Sequence, residues 1–101
     1  MDELLENAKR ASNFLKALAH ENRLVILCFL ADGEKNVGEL EALLGIRQPS
    51  LSQQLARLRA DKLVSTRRDS KQIYYSLASK EAKKMVELLY EMFCAGTDPD
   101  H

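Results

Sequence analysis

The most reactive side chains in this sequence are two thiols, Cys28 and Cys94. They lie 66 residues apart, so they form neither a CxxC redox motif nor a local zinc-ligand pair. Two cysteines are also too few for a disulfide-dense secreted scaffold. Taken on its own helix, Cys28 shares a stripe with Leu24 and Leu27, as a small core-filling cysteine does. Cys94 aligns instead with Lys83, Glu87 and Tyr90, away from the apolar stripe of its helix, and is expected to be partly accessible.

A second chemistry, hydrogen bonding to base edges and phosphates, is concentrated in the middle of the chain. At 100° per residue, a helix through Pro49 puts Leu51, Leu55 and Leu58 on one stripe and Pro49, Ser52, Gln53, Ala56 and Ala60 opposite it. Ser50 and Arg57 flank that outer face, and Arg47 and Gln48 precede it. Small residues permit close approach to a major groove, while Ser, Gln and Arg reach into it; an ordinary solvated helix carries more Glu and Lys there. Further on, Arg67, Arg68, Lys71 and Gln72 cluster around a turn, where cations add salt-dependent affinity for a phosphate backbone. An edge hairpin blunted by charge against aggregation is the alternative and less economical reading of those cations.

The charge distribution supports the groove reading although the formal net charge is zero. Residues 1–46 sum to −3, residues 47–80 to +6 and residues 81–101 to −3. A basic middle between acidic ends implies one face that attracts phosphate and others that do not. At 101 residues and 46% apolar composition the chain suffices for one compact domain. No apolar run approaches the roughly 20 residues of a membrane span, and the opening residues lack a signal peptide's apolar core, so a soluble cytoplasmic protein is expected.

The elements that must position these groups follow from periodicity. Leu4, Ala8, Ala11, Leu15 and Leu18 mark an amphipathic first helix. His20 to Ala31 is apolar almost throughout and is expected in the core, with Asp32-Gly33 as its stop. Val37, Leu40, Leu43 and Leu44 make a short third helix ending at Gly45, and the fourth carries the outer face just described. Residues 63–68 and 72–77 read as two strands around an Asp69-Ser70-Lys71 turn. A last helix starts near Ser79 or Lys80, runs to about Ala95 along Ala82, Met85, Val86, Leu89, Met92 and Phe93, and is stopped by Gly96, Asp98 and Pro99. The expected fold is mainly α: four helices, a two-stranded hairpin wing and a fifth helix, a winged helix-turn-helix. So small a domain does not need long apolar helices at both ends to cover one hairpin, so residues 1–18 and 79–95 are expected to form a homodimer interface. Two recognition helices related by a twofold axis would read half-sites roughly 34 Å apart on a duplex DNA operator.

Three stretches resemble the ArsR-type small winged-helix repressors: Leu18 to Leu27 its second-helix signature, Gln48 to Arg59 its recognition helix, and Arg67 through Leu77 its wing. The turn departs from that pattern, with Asp69-Ser70 in place of a frequent glycine. Many members of the family sense metals, but no cysteine pair lies near Val37-Gly38-Glu39 and the last helix has no histidine. His20 and His101 make no four-ligand set with the cysteines, so neither metal nor cofactor is expected. Cys28 and Cys94 instead resemble the cysteine pair of the family's thiol- and persulfide-responsive subgroup. That resemblance implies a redox-sensing pair: one thiolate takes up a reactive sulfur species or other oxidant, the other resolves it, and a di- or polysulfide link releases the DNA. A regulator of a metal or another ligand, a constitutive regulator and an interaction module without DNA binding are the alternatives. No phosphate-binding glycine loop or nucleophile elbow supports an enzyme.

Overall fold

A computed structural model describes residues 1–94. The expected end of the last helix at Ala95, its stop at Gly96, Asp98 and Pro99, the last residue of the proposed interface and His101 lie outside the described residues. The chain runs α1 (Asp2–Leu18), α2 (Glu21–Ala31), β1 (Lys35–Asn36), α3 (Val37–Leu44), α4 (Gln48–Ala60), β2 (Val64–Asp69), β3 (Gln72–Leu77) and α5 (Lys80–Phe93). No described helix is long and apolar enough to cross a membrane.

The helix boundaries have local causes. His20 caps α2, its Nδ1 accepting the Asn22 amide at 3.2 Å, which gives this imidazole a structural task. Arg23 reaches back from α2 and donates from Nε to the Ala17 carbonyl at 2.7 Å, closing the C-terminal end of α1. Asn36 and Glu39 form a reciprocal capping box on α3, and Gly45 ends that helix at φ 70°, a backbone conformation that glycine adopts without steric cost. Ser79 caps α5 through the Ala82 amide at 3.0 Å.

Ile26, Leu27 and Leu30 of α2 meet Leu40 of α3, Leu51, Leu55 and Leu58 of α4, and Ala82 and Val86 of α5 in one continuous core. The inward stripe expected of α4 is thus fully buried, and truncating any one of its leucines to alanine costs about 2–5 kcal/mol. Leu43 departs from the expectation for α3 and is 47% exposed. It lies 60° from Leu40 and 120° from Val37 around the helix, so it falls off the edge of the stripe.

The expected hairpin is present, with β2 and β3 antiparallel in a register that pairs Arg67 with Tyr74 and Asp69 with Gln72. The sheet also has a third strand. β1 pairs antiparallel with β3, giving the order β1-β3-β2. Two residues are too short to show the alternation by which strands are recognised in sequence. α1 joins the core only at its end: Ala17 and Leu18 are buried, whereas Leu4 and Leu5 are more than 60% exposed.

Candidate nucleic-acid interface and thiol site

The outer face of α4 is composed as expected. Arg47, Gln48, Ser50, Ser52, Gln53 and Arg57 are all exposed, as are Pro49, Ala56 and Ala60 between them. The N-terminus of α4 differs from those of α2, α3 and α5. Arg47 occupies the cap position without a side-chain hydrogen bond, no acidic residue sits in the first turn, and Pro49 follows. The amide protons of the first turn and the positive end of the helix dipole therefore face outward unsatisfied, as suits a phosphate oxygen. At the other end Arg57 donates from Nε to Asp61 at 2.9 Å, an exposed i,i+4 pair that contributes about 0.3–0.5 kcal/mol.

The wing cations are not equivalent. Arg67, on the outer face of the sheet with Tyr74, donates through Nε and Nη2 to the Glu34 carboxylate, and its guanidinium lies 4.6 Å from the Tyr74 ring centroid. Asp69 stands 3.8 Å from the same guanidinium. The hydrogen bonds from Arg67 hold the Glu34 carboxyl below the usual carboxylate range, and Glu34 in turn raises the arginine. Arg68 pairs with Ile73 on the opposite face of the strands and donates from Nε to the Ser70 carbonyl at 3.3 Å. Lys71 and Gln72 are exposed at the turn. Ser70 takes φ 60°, where the resembled family often has glycine.

Two features escaped the sequence reading. Glu34 lies 33 residues from Arg67, and β1, which brings it across β3 to the wing, carries no periodic signal. Arg59 and Lys62 are further exposed cations near the end of α4; an inventory of charges at helical spacing finds Arg59, whereas Lys62 sits in a turn at φ 63°.

The two cysteines lie on facing elements, α2 and the C-terminal cap of α5. Cys28 is half-buried and Cys94 is exposed, in line with their separate readings. Burial pushes the Cys28 thiol up, and negative charge on Cys94 pushes it further in the same direction. A cleft of about 400 Å³ opens beside Cys28 between α2 and α5, walled by Phe29, Asp32, Val86, Glu87 and Tyr90. The Tyr90 carbonyl accepts the Cys94 amide at 2.7 Å, which ties the cleft wall to the second cysteine.

Residues 20–66 match the family described as "Bacterial regulatory protein, arsR family". The chain is 53% identical over 90 residues to the biofilm growth-associated repressor of Agrobacterium fabrum, covering 89% of this chain and 77% of that protein. It is 47% identical to the transcriptional activator HlyU of Vibrio cholerae over 93% of this chain and 87% of that one. The solved structure of reduced HlyU superposes with a TM-score of 0.89 over 93% of this chain and 99% of that chain. The repressor BigR of Xylella fastidiosa superposes at 0.85 with 45% identity, covering 96% of each chain.

Proposed function

The chain belongs to the ArsR family of bacterial regulatory proteins and is a DNA-binding transcriptional regulator, and from that premise we propose that it is a homodimeric cytoplasmic repressor released from its operator by thiol chemistry at Cys28 and Cys94. The family comprises regulators rather than enzymes, so the cysteines are read as a switch rather than as a catalytic pair. Relatives include a repressor and an activator by name, and repression is the reading taken here.

The observation that carries the DNA-binding site is the outer face of α4, where Ser50, Ser52 and Gln53 are exposed around an uncapped helix start. Ser52 and Gln53 read base edges, the first turn and Arg47 hold phosphate, and Gln48 and Arg57 flank the groove. Arg68, Lys71 and Gln72 lie along the adjoining backbone, with Arg67 behind them. Residues 1–18 and 79–95 form the interface between two copies. Support comes from apolar side chains that one copy leaves in water: Leu4, Leu5 and Leu15 on α1, and Leu88, Met92 and Phe93 on α5.

In the thiol step, one cysteine thiolate attacks an oxidised sulfur species and the other resolves the product into a di- or polysulfide link between α2 and α5. The placement of the two cysteines on the packed pair α2 and α5 supports this pairing, as does the existence of a similar regulator solved in a form designated reduced. A link there alters the spacing of α2 and α5, and because α5 also serves the interface, it changes the separation of the two recognition helices. A gel shift on DNA upstream of the protein's own coding sequence tests the whole reading, with reduced, persulfide-treated and metal-loaded protein side by side. Persulfide is expected to release the DNA and metal to leave it bound; equal affinity in all three states refutes the thiol switch while leaving the DNA site intact.

A further inference from the structure

Asp32 closes α2 and Glu87 projects from α5, and among the described residues they are the only charged walls of the cleft beside Cys28. Neither makes an ion pair among the described residues. Lys83 and Glu91, one helical turn to either side of Glu87, carry opposite charges and offset one another. Phe29, Val86 and Tyr90 supply the rest of the surface, which is apolar or aromatic. Both carboxylates line the cleft directly, so a molecule held in it lies within the Debye length of about 8 Å at physiological salt from each of them.

We infer that this cleft selects the sulfur species that reaches Cys28 by charge, admitting uncharged or cationic low-molecular-weight hydropersulfides and disulfides and holding back anionic ones. The inference rests on the reading of Cys28 as a sensing thiol and names the class of molecule it senses. With an uncharged hydropersulfide RSSH, the Cys28 thiolate attacks the terminal sulfur; a Cys28–SSH forms, the S–S bond of RSSH breaks, and RS⁻ leaves to take up the proton that Cys28 lost. The Cys94 thiolate then attacks the Cys28 sulfur and expels HS⁻, which leaves a Cys28–Cys94 disulfide. The hydropersulfide is the oxidant, and the two thiols together give up the two electrons. An anionic reagent meets two like charges on its approach, and the thiolate it releases meets them with an additional charge of its own, whereas an ammonium group on the reagent is attracted by both walls.

Three disulfides of similar size and different charge provide the test: cystamine, hydroxyethyl disulfide and dithiodipropionate. Each is reacted with the full chain carrying Cys94→Ser, so that Cys28 alone reports, and the rate of mixed-disulfide formation is read by mass spectrometry. Every rate is divided by that of the same reagent with mercaptoethanol under the same conditions. The expected order is cystamine, then hydroxyethyl disulfide, then dithiodipropionate, with a spread of about tenfold that contracts in high salt. Glu87→Gln and Asp32→Asn, made separately and together, are expected to slow cystamine, speed dithiodipropionate and bring the three within about twofold. Equal normalised rates on the starting protein, or a spread that survives both substitutions, overturn the proposal. Release from the operator fails by a different result, since a bridged protein that keeps its operator affinity refutes release and leaves the charge order at Cys28 standing.

Discussion

The outer face of α4 and the wing both present polar side chains to the same side of the sequence's basic segment, yet they hold them in opposite ways. On α4, the side chains of Ser50, Ser52 and Gln53 make no hydrogen bond within the described residues, and the helix start beside them has no capping side chain. On the wing, Arg67 is engaged by Glu34, Asp69 and Tyr74 together, and only Lys71 and the partly engaged Arg68 remain to meet phosphate. Formal charge therefore overstates what the wing offers. Of the +6 summed over residues 47–80, the Arg67 share is offset by Glu34, an acid from outside that segment. Unpaired donors on α4 leave that helix able to meet base edges, whereas a cation matched within the wing holds the wing in position.

The sharpest break between the two regions comes from replacing Ser52 and Gln53 together by alanine. Loss of base-edge contacts worth about 1–3 kcal/mol lowers operator affinity roughly ten- to hundredfold. Binding to unrelated duplex DNA and its dependence on salt stay as they were, because no phosphate contact is touched. Titration of operator and random DNA at several salt concentrations checks this; a parallel loss on both DNAs contradicts base readout by α4.

Arg68→Ala and Lys71→Ala should act in the contrary sense. Each weakens operator and random DNA alike, by about three- to tenfold, and each lowers the slope of log affinity against log salt by about 1. An unchanged slope removes these residues from the phosphate contacts. Arg67 separates from both patterns. Since its charge is already matched, Arg67→Ala is expected to reduce affinity modestly through a looser wing while leaving the salt slope unaltered. Glu34→Gln frees the cation and raises the slope by up to about 1. The pair also carries a pH signature. Glu34 is held below the usual carboxylate range, so its contribution is complete above that range and is lost only as pH falls through the lowered value. Chemical shifts of the Glu34 carboxyl followed through acid titration, with and without Arg67→Ala, report it directly.

The sequence exposed the α4 half of this comparison far better than the wing half. Leu51, Leu55 and Leu58 recur at helical spacing, and the face opposite them follows from helix geometry, so the exposed set is legible in the sequence. The cations of the wing were equally visible, but their partners were not. Glu34 is distant in sequence and arrives through a two-residue strand, and a contact of that kind depends on tertiary pairing that periodicity does not encode. The same limit applied to Cys28, whose spacing showed a core-facing thiol but not the cleft that α5 forms over it. His20 and Arg23 belong in sequence to a stretch resembling a family signature, and only hydrogen-bond geometry shows their work as an N-cap and as the closure of α1.

The smallest expected effect lies at the wing turn, where Ser70 holds φ 60° between the paired Asp69 and Gln72. A residue with a Cβ pays roughly 1–2 kcal/mol for that conformation, and glycine does not. Glycine gains freedom in the unfolded chain, however, which takes back roughly 0.5–1 kcal/mol. Ser70→Gly is thus expected to stabilise the fold by a few tenths of a kcal/mol to about 1 kcal/mol, which for a domain of this size raises Tm by up to about 4–8 °C. The Arg68 contact to the Ser70 carbonyl uses backbone and survives the change, so the salt slope for DNA should not move. A lower Tm would mean that the serine side chain supports the turn, and an altered slope would mean that the tip conformation itself sets how Arg68 and Lys71 meet phosphate. Either result would make the wing depend on its turn as strongly as on the Glu34 pair.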